Sequence, residues 1–121
     1  MPQKATIMKS DVEQLLQMTL DLEKLDGYFH VGERPERKPL RILLSGGIPS
    51  SVKLQKFGEP VVIIAREEAS HGPYLEFTKV EVGDETGEVI FVYPPEGIGG
   101  TVKFRKSGGS WRVESLRLTE E

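Results

Sequence analysis

The chain has 121 residues, no cysteine, and a formal charge of −3 from 16 basic and 19 acidic side chains. This length fits a single domain that buries its own core, so we expect one domain over residues 1–121, with residues 1–9 flexible. The lack of cysteine excludes disulfides and thiolate metal sites, and the acidic balance argues against a nucleic-acid-binding protein.

The apolar runs of the chain are short, which bears on its location. The longest, residues 61–65 and 89–93, fall well below the roughly 20 residues of a membrane-spanning helix. Residues 1–9 lack the apolar centre of a signal peptide. We therefore expect a cytoplasmic protein with no membrane partner, or an exported one if a leader was removed before Met1.

The first predicted element is a helix that begins at a capping box. Glu13 follows Ser10 by three residues, so each side chain can bond the other's free backbone N–H. Apolar side chains then recur at three- and four-residue steps. They are Val12, Leu15, Met18, Leu22, Leu25 and Phe29. The pattern predicts one long helix that ends at Gly27 or continues to Phe29.

A polar, proline-rich segment at residues 31–39 follows the helix and favours a connecting loop. We predict a short strand at 40–44 and a strand or single helical turn around residues 52–57. A strand at 61–65 is expected to be buried on both faces, because it is rich in β-branched residues. Residues 66–73 are predicted to form a second polar loop.

The C-terminal half has the pattern of four sequential strands joined by tight, glycine-rich turns. Short connections of this kind favour an antiparallel meander. The predicted strands are residues 74–82, 88–93, 101–106 and 111–118.

Two of these strands change the parity of their apolar residues midway. In the first, Phe77 and Val80 have opposite parity, and in the last, Val113 and Leu116 do. Side chains alternate faces along a strand, so each change predicts a β-bulge or a strand that swaps its buried face. Two such changes predict a strongly bent sheet around the helix.

The last strands and the segment after the helix resemble a known superfamily. The similarity lies in residues 74–84, in 89–93 and in the ending 108–116, with further likeness at 28–40 and 56–61. These stretches are similar to the nuclear transport factor 2-like (cystatin-like) superfamily, and in particular to uncharacterised bacterial members. The resemblance implies an α+β fold in which one long N-terminal helix packs against a strongly curved antiparallel sheet, a cystatin-like roll. Residues 31–66 lack two helices found in many enzymes of the group, which argues against a roomy pocket.

His30 is the candidate for acid–base chemistry, because histidine titrates near neutral pH. The resemblance implies a proton-abstracting role like that of isomerases and cyclases in the superfamily, with Tyr28 or Tyr93 as hydrogen-bond donor. The simpler interpretation, which we favour from sequence, is a solvent-facing loop histidine. His30 and His71 have no metal-ligand spacing, so we expect neither a metal nor a cofactor.

Trp111 is a candidate cavity-lining residue, since it combines a large apolar body with a polar tip. Arg37 and Arg41 are candidate ligands for an anion, because they belong to a basic stretch between residues 34 and 56. A second basic group marks the last two strands. It comprises Lys103, Arg105, Lys106, Arg112 and Arg117. Solvated sheet residues are the alternative interpretation, because edge strands often carry lysine.

Three classes of function remain open. We favour a non-catalytic binding or protein-interaction domain that forms a homodimer through its sheet and meets a small molecule or protein not identified by the sequence. Its predicted interface anchors are Val89, Phe91, Tyr93 and Phe104. The alternatives are an isomerase- or cyclase-like enzyme with a pocket between helix and sheet, and an accessory domain that binds an anionic partner.

Overall fold

The computed structural model describes residues 9–29, 39–48 and 51–120. Among them are two short helices, α1 (Lys9–Leu20) and α2 (Glu23–Phe29). No helix of the described ranges is long and apolar enough to cross a membrane. The strands are β1 (Arg41–Leu44), β2 (Gln55–Lys56), β3 (Glu59–Pro60), β4 (Val62–Ile64), β5 (Leu75–Val82), β6 (Thr86–Tyr93), β7 (Ile98–Ser107) and β8 (Ser110–Glu120).

Six strands form one mixed sheet in the order β4-β1-β5-β6-β7-β8. β1 pairs in parallel with both β4 and β5, whereas β5 to β8 form an antiparallel meander. β2 and β3 make a separate antiparallel pair within the connection from β1 to β4. The predicted meander is confirmed, and the predicted strand at 40–44 is present as β1. The parallel part of the sheet was not predicted.

The predicted architecture of one long helix packed against a strongly curved antiparallel sheet is wrong. The sheet is mixed, and the helical segment is interrupted after Leu20. Lys56 Nζ donates to the Leu20 carbonyl at 2.7 Å, so an amine from a distant strand occupies an oxygen that a continuing helix would use. Thr19 Oγ1 also bonds the Leu15 carbonyl at 2.9 Å, an interaction that bends helices.

The core lies between the two helices and one face of the sheet, which we call the core face; the opposite face is the outer face. Phe29 of α2 meets Tyr93 of β6 edge to face, with ring centroids 5.1 Å apart. Aromatic and aliphatic side chains from all the meander strands complete this core. Those without exposed surface are Leu75, Phe77, Val89, Phe91, Tyr93, Val102 and Phe104.

Two β-bulges keep the apolar residues of β5 and β8 on the core face. The register shifts between Phe77 and Lys79, so Thr78 is an extra residue in β5. It shifts again opposite Lys103 and Phe104, where Glu114 is the extra residue in β8. The parity changes in the sequence therefore predicted both bulges correctly.

The region around β4 departs from the sequence prediction in two ways. β4 is an edge strand, so Val62 is 42% exposed although Ile64 is buried. The prediction of burial on both faces is therefore wrong at Val62. The polar loop predicted after it contains a 3-10 helix, Arg66–His71.

Candidate functional site

The catalytic candidates are not assembled around a described cavity. Tyr28 is half-buried on α2, and Tyr93 is fully buried with its ring against Phe29. His30 and Arg37 lie outside the described residues. His71, the histidine within the described ranges, is exposed on the 3-10 helix after β4. Tyr93 is thus a core residue of the helix–sheet interior.

The four predicted interface anchors all lie in the core. Val89, Phe91, Tyr93 and Phe104 have 0% exposed surface, because they point from β6 and β7 toward the helices. A partner cannot contact these side chains while the domain is folded. The prediction that they anchor an interface is therefore wrong, and a surface for dimerisation has to be sought elsewhere on the sheet.

Two ligand-binding candidates make structural contacts. Trp111 is buried, and its Nε1 donates to Asp11 Oδ1 at 3.2 Å, which ties the start of β8 to α1. Lys106 Nζ lies 5.5 Å from the centroid of the Trp111 ring and 3.9 Å from the same carboxylate oxygen. Arg41 donates to the carbonyl of Glu68 at 2.5 Å and to that of Pro73 at 3.3 Å. Its guanidinium thereby holds the segment between β4 and β5 against the sheet.

An open groove of about 740 Å³ lies between α1 and residues 52–63. Two of its polar side chains, those of Glu13 and Gln17, hold the two walls together. Glu13 Oε2 accepts the Lys53 backbone N–H at 2.5 Å. Gln17 accepts the Gln55 N–H and donates to the Gln55 carbonyl, both at 3.0 Å. The α1 side chains thus satisfy backbone groups of Lys53 and Gln55. The remaining walls of the groove are mainly apolar.

The outer face of β5 to β8 carries charged side chains in cross-strand rows. One half of this face, on β5 and β6, is the acidic half. Its ionisable residues are Glu76, Lys79, Glu81 and Glu88. The other half, on β7 and β8, is the cationic half. Its ionisable residues are Lys103, Arg105, Arg112, Glu114 and Arg117.

Some of these charges are paired within the sheet. Lys79 Nζ lies 3.3 Å from Glu88 Oε1 and 3.4 Å from Glu81 Oε2. The hydrogen bond that Lys79 donates to Glu88 is the main cause that raises the pKa of Lys79 above its usual 10.5, with Glu81 adding to it. Arg105 Nε pairs with Glu114 Oε2 at 3.0 Å.

Three cations of the cationic half have no such pairing with any residue that the structure describes. Across the residues that the structure describes, no carboxylate oxygen lies within 4.0 Å of Lys103, Arg112 or Arg117. Two of them, Lys103 and Arg117, border a surface cavity of about 410 Å³, together with Thr101, Ser115 and Glu88. An unpaired positive patch is notable in a chain whose formal charge is −3.

Sequence reasoning identified the basic residues of β7 and β8 but not which of them are unpaired. The pairing of Arg105 depends on Glu114, the extra residue of the bulge, and so on the register of two strands. Counting alternate residues along β7 and β8, with one extra residue allowed for the bulge, would have placed Lys103, Ser115 and Arg117 on one face. The sequence therefore contained a signal for their shared face but not for their pairing.

Within the described ranges, no group of three or more histidine, aspartate or glutamate residues is placed to hold a metal ion.

Comparison with known proteins finds no relative: no family model, curated protein or solved structure matches this chain. The resemblance to the nuclear transport factor 2-like superfamily stays a prediction.

Proposed function

We propose that this chain is a non-catalytic protein-interaction domain that binds a second copy of itself through the outer face of its sheet. The observation that carries this proposal is the opposite charge of the two halves of that face. On its own strands the acidic half has three carboxylates against one ammonium group, with Glu76 also paired with Arg66 at 3.0 Å, and the cationic half has four cations against one carboxylate.

This charge distribution is self-complementary under a two-fold rotation. An axis parallel to the strands, between β6 and β7, places the acidic half of each copy over the cationic half of the other. Such an isologous contact uses the same patch on both subunits. Complementary potentials of this kind orient partners and speed their association. Between the charged groups, the half-buried Ile90 and Val92 of β6 supply apolar contact area.

The packing of the interior supports a binding role over catalysis. Aromatic rings from α2 and the meander fill the space between helices and sheet where the enzyme alternative needs a pocket. In the groove beside α1, the carboxylate of Glu13 and the amide of Gln17 are bonded to backbone groups. Those side chains are therefore engaged rather than available to a substrate.

Sedimentation velocity over a series of protein concentrations tests the dimer. Lys103→Glu and Glu81→Lys should each weaken it, because each places like charges across the interface in both copies. We expect the dissociation constant to rise about tenfold for each. The double variant should associate no better than either single variant, because its acidic half carries equal numbers of carboxylates and ammonium groups and no longer complements the cationic half. Added salt should weaken the wild-type dimer.

Lys24→Glu is the matched control. Lys24 is an exposed lysine on α2, away from the outer face, so its reversal changes net charge equally without touching the interface. A single monomer mass across the whole concentration series would contradict the proposal. So would a wild-type dissociation constant in both single variants.

A second candidate function, binding of an anionic partner, is favoured by one observation. Lys103 and Arg117, which have no carboxylate partner among the described residues, meet at one surface cavity and create a local positive field in an otherwise acidic protein. This field is available to any anion in the monomer.

A further inference from the structure

We propose that Thr101, Lys103, Ser115 and Arg117 form a binding site for a tetrahedral oxyanion, namely inorganic phosphate or the phosphate group of a monoester. The inference rests on the second candidate function, since it names the site and the chemical group through which an anion binds. All four side chains belong to one copy, and the site is open in the monomer, because the proposed dimer would cover the same face.

The four side chains form a compact square on the outer face. Thr101 lies directly opposite Arg117, and Lys103 directly opposite Ser115, on the neighbouring strands β7 and β8. Opposite residues of an antiparallel pair have Cβ atoms about 5 Å apart, and diagonal ones about 7–8 Å. The two cations thus occupy one diagonal and the two hydroxyls the other. Their side chains can converge on a single group placed at the centre.

The space between them suits a group of several heavy atoms. The cavity that they border measures about 410 Å³ and opens to solvent, whereas one water takes up about 30 Å³ of liquid. A phosphate therefore enters without displacing a protein side chain. An open site of this kind predicts weak, salt-sensitive binding, because solvent screens exposed charges.

The local charge favours an anion in spite of a nearby glutamate. Glu88 borders the cavity, but its carboxylate lies 3.3 Å from Lys79 Nζ and is paired with it. Lys103 and Arg117 have no carboxylate within 4.0 Å among the described residues. A guanidinium offers several donors in one plane, which suits the oxygens of a phosphate.

The two hydroxyls select a tetrahedral group over a carboxylate. Neither Thr101 nor Ser115 makes a side-chain hydrogen bond within the described part of the chain. Each can donate to the bound anion. Four donors that surround one centre match the four oxygens of phosphate better than the two oxygens of a carboxylate.

Protection of a sheet edge does not account for this arrangement. Cations on edge strands hinder unwanted strand pairing, and Arg117 lies on the edge strand β8. Lys103, however, lies on β7, which is paired on both sides. Because Lys103 lies in the interior of the sheet, its charge does not protect an edge and is better explained by a role on the outer face.

Nuclear magnetic resonance titration of the intact chain with sodium phosphate, at constant ionic strength, tests the site. We expect saturable shifts of the backbone amides of residues 101, 103, 115 and 117. Arg117→Ala should raise the dissociation constant for phosphate about fivefold, and Arg117→Lys less. Ser115→Ala and Thr101→Val should weaken phosphate more than they weaken acetate.

Arg112→Ala is the matched control, because Arg112 is an unpaired arginine on the same face of the same strand but does not border the cavity. It should leave the dissociation constant for phosphate within about twofold of the wild type. An equal loss in Arg112→Ala and Arg117→Ala would overturn the site. Acetate binding as tight as phosphate would overturn the tetrahedral assignment.

Two further measurements distinguish free phosphate from a phosphate monoester, and the oxyanion site from the dimer. Titration with phosphoserine in place of inorganic phosphate shows whether a monoester is accommodated. If inorganic phosphate binds and phosphoserine does not, the assignment of a monoester ligand is wrong. Sedimentation in the same buffers reports the oligomeric state. A monomer that binds phosphate would contradict the dimer alone, whereas a dimer whose dilute monomer gives only linear, non-saturating shifts would overturn the oxyanion site alone.

Discussion

The two faces of the β5–β8 meander are built from the same strands and differ in almost every property. On the core face, Val89, Phe91 and Tyr93 of β6 are fully buried. Between them on the outer face, Ile90 and Val92 are half-buried and lie among charged and hydroxyl side chains. The alternation of the strand therefore buries the side chains of one face in the core and leaves those of the other face accessible for the contacts proposed above.

This separation means that the two properties can be altered independently. Substitutions on the core face should change the free energy of unfolding, whereas those on the outer face should change association and anion binding. The predicted sizes differ because burial sets the cost of a lost contact. Comparison of matched positions on the two faces tests this division.

The largest effect is expected for Phe91→Ala on the core face. Phe91 has no exposed surface, so its truncation removes buried apolar area and leaves a cavity. We expect a loss of about 3–5 kcal/mol in the free energy of unfolding, measured by urea denaturation. Val92→Ala, one residue along and on the outer face, is the control. An equal loss at both positions would contradict the assignment of faces.

A smaller loss is expected for Val89→Thr, which keeps the shape of the side chain and adds a hydroxyl. Val89 is fully buried among apolar groups, so the hydroxyl lacks a partner and should cost about 1–3 kcal/mol. Val92→Thr makes the same chemical change on the outer face. Thermal and urea unfolding should place that variant within about 0.5 kcal/mol of the wild type.

Removal of a cation should also change the free energy of unfolding by different amounts on the two sides of the sheet. Lys56 lies on the core side with its side chain 9% exposed, bonded to the Leu20 carbonyl and paired with Asp26. Lys56→Ala should cost about 1–2 kcal/mol, moderated because Asp26 is 54% exposed. Arg112→Ala on the outer face should change the free energy of unfolding by less than about 0.5 kcal/mol. Chemical denaturation that ranked these two variants in the opposite order would count against this difference.

The smallest effect is a pH dependence on the outer face. The pKa of Lys79 is raised above 10.5 by Glu88 and Glu81, so its folded value exceeds its unfolded one. The stability that it contributes is complete below 10.5 and is lost as pH rises through the folded value. The difference in free energy of unfolding between wild type and Lys79→Gln should therefore shrink at alkaline pH. If the difference between wild type and Lys79→Gln stayed constant as the pH rose, the ion pairs of Lys79 would contribute nothing to the free energy of unfolding.

Local patterns predicted the meander and its bulges, since alternation and turn residues are properties of neighbouring positions. They did not predict the interruption of the helix, because the amine that bonds Leu20 comes from Lys56, far along the chain. The apolar stripe of the helix continues through Leu22 and Leu25 and contains no stop signal at that point. The break is accompanied by the tertiary contact from Lys56 and by the bond of Thr19 Oγ1 to the Leu15 carbonyl.

The parallel pairing of β1 was missed for a related reason. β1 is short and lies beside β4 and β5, each reached only after an intervening connection. No local feature distinguishes a parallel from an antiparallel neighbour for four residues such as Arg41–Leu44. The proposed outer-face site could not be predicted either, because the unpaired state of Arg117 depends on which carboxylates reach its strand.

The two bulges have a consequence for how chain length can vary. Thr78 and Glu114 are supernumerary in their strands, so the residues on either side already keep their proper faces without them. In a homologue that lacked either position, the strand would be straighter, and its side chains would still alternate between the core face and the outer face as they do here. A gap elsewhere in β5 or β8 would invert every side chain beyond it. Single-residue gaps in future alignments should therefore fall at 78 and 114, where the sheet tolerates a change of count.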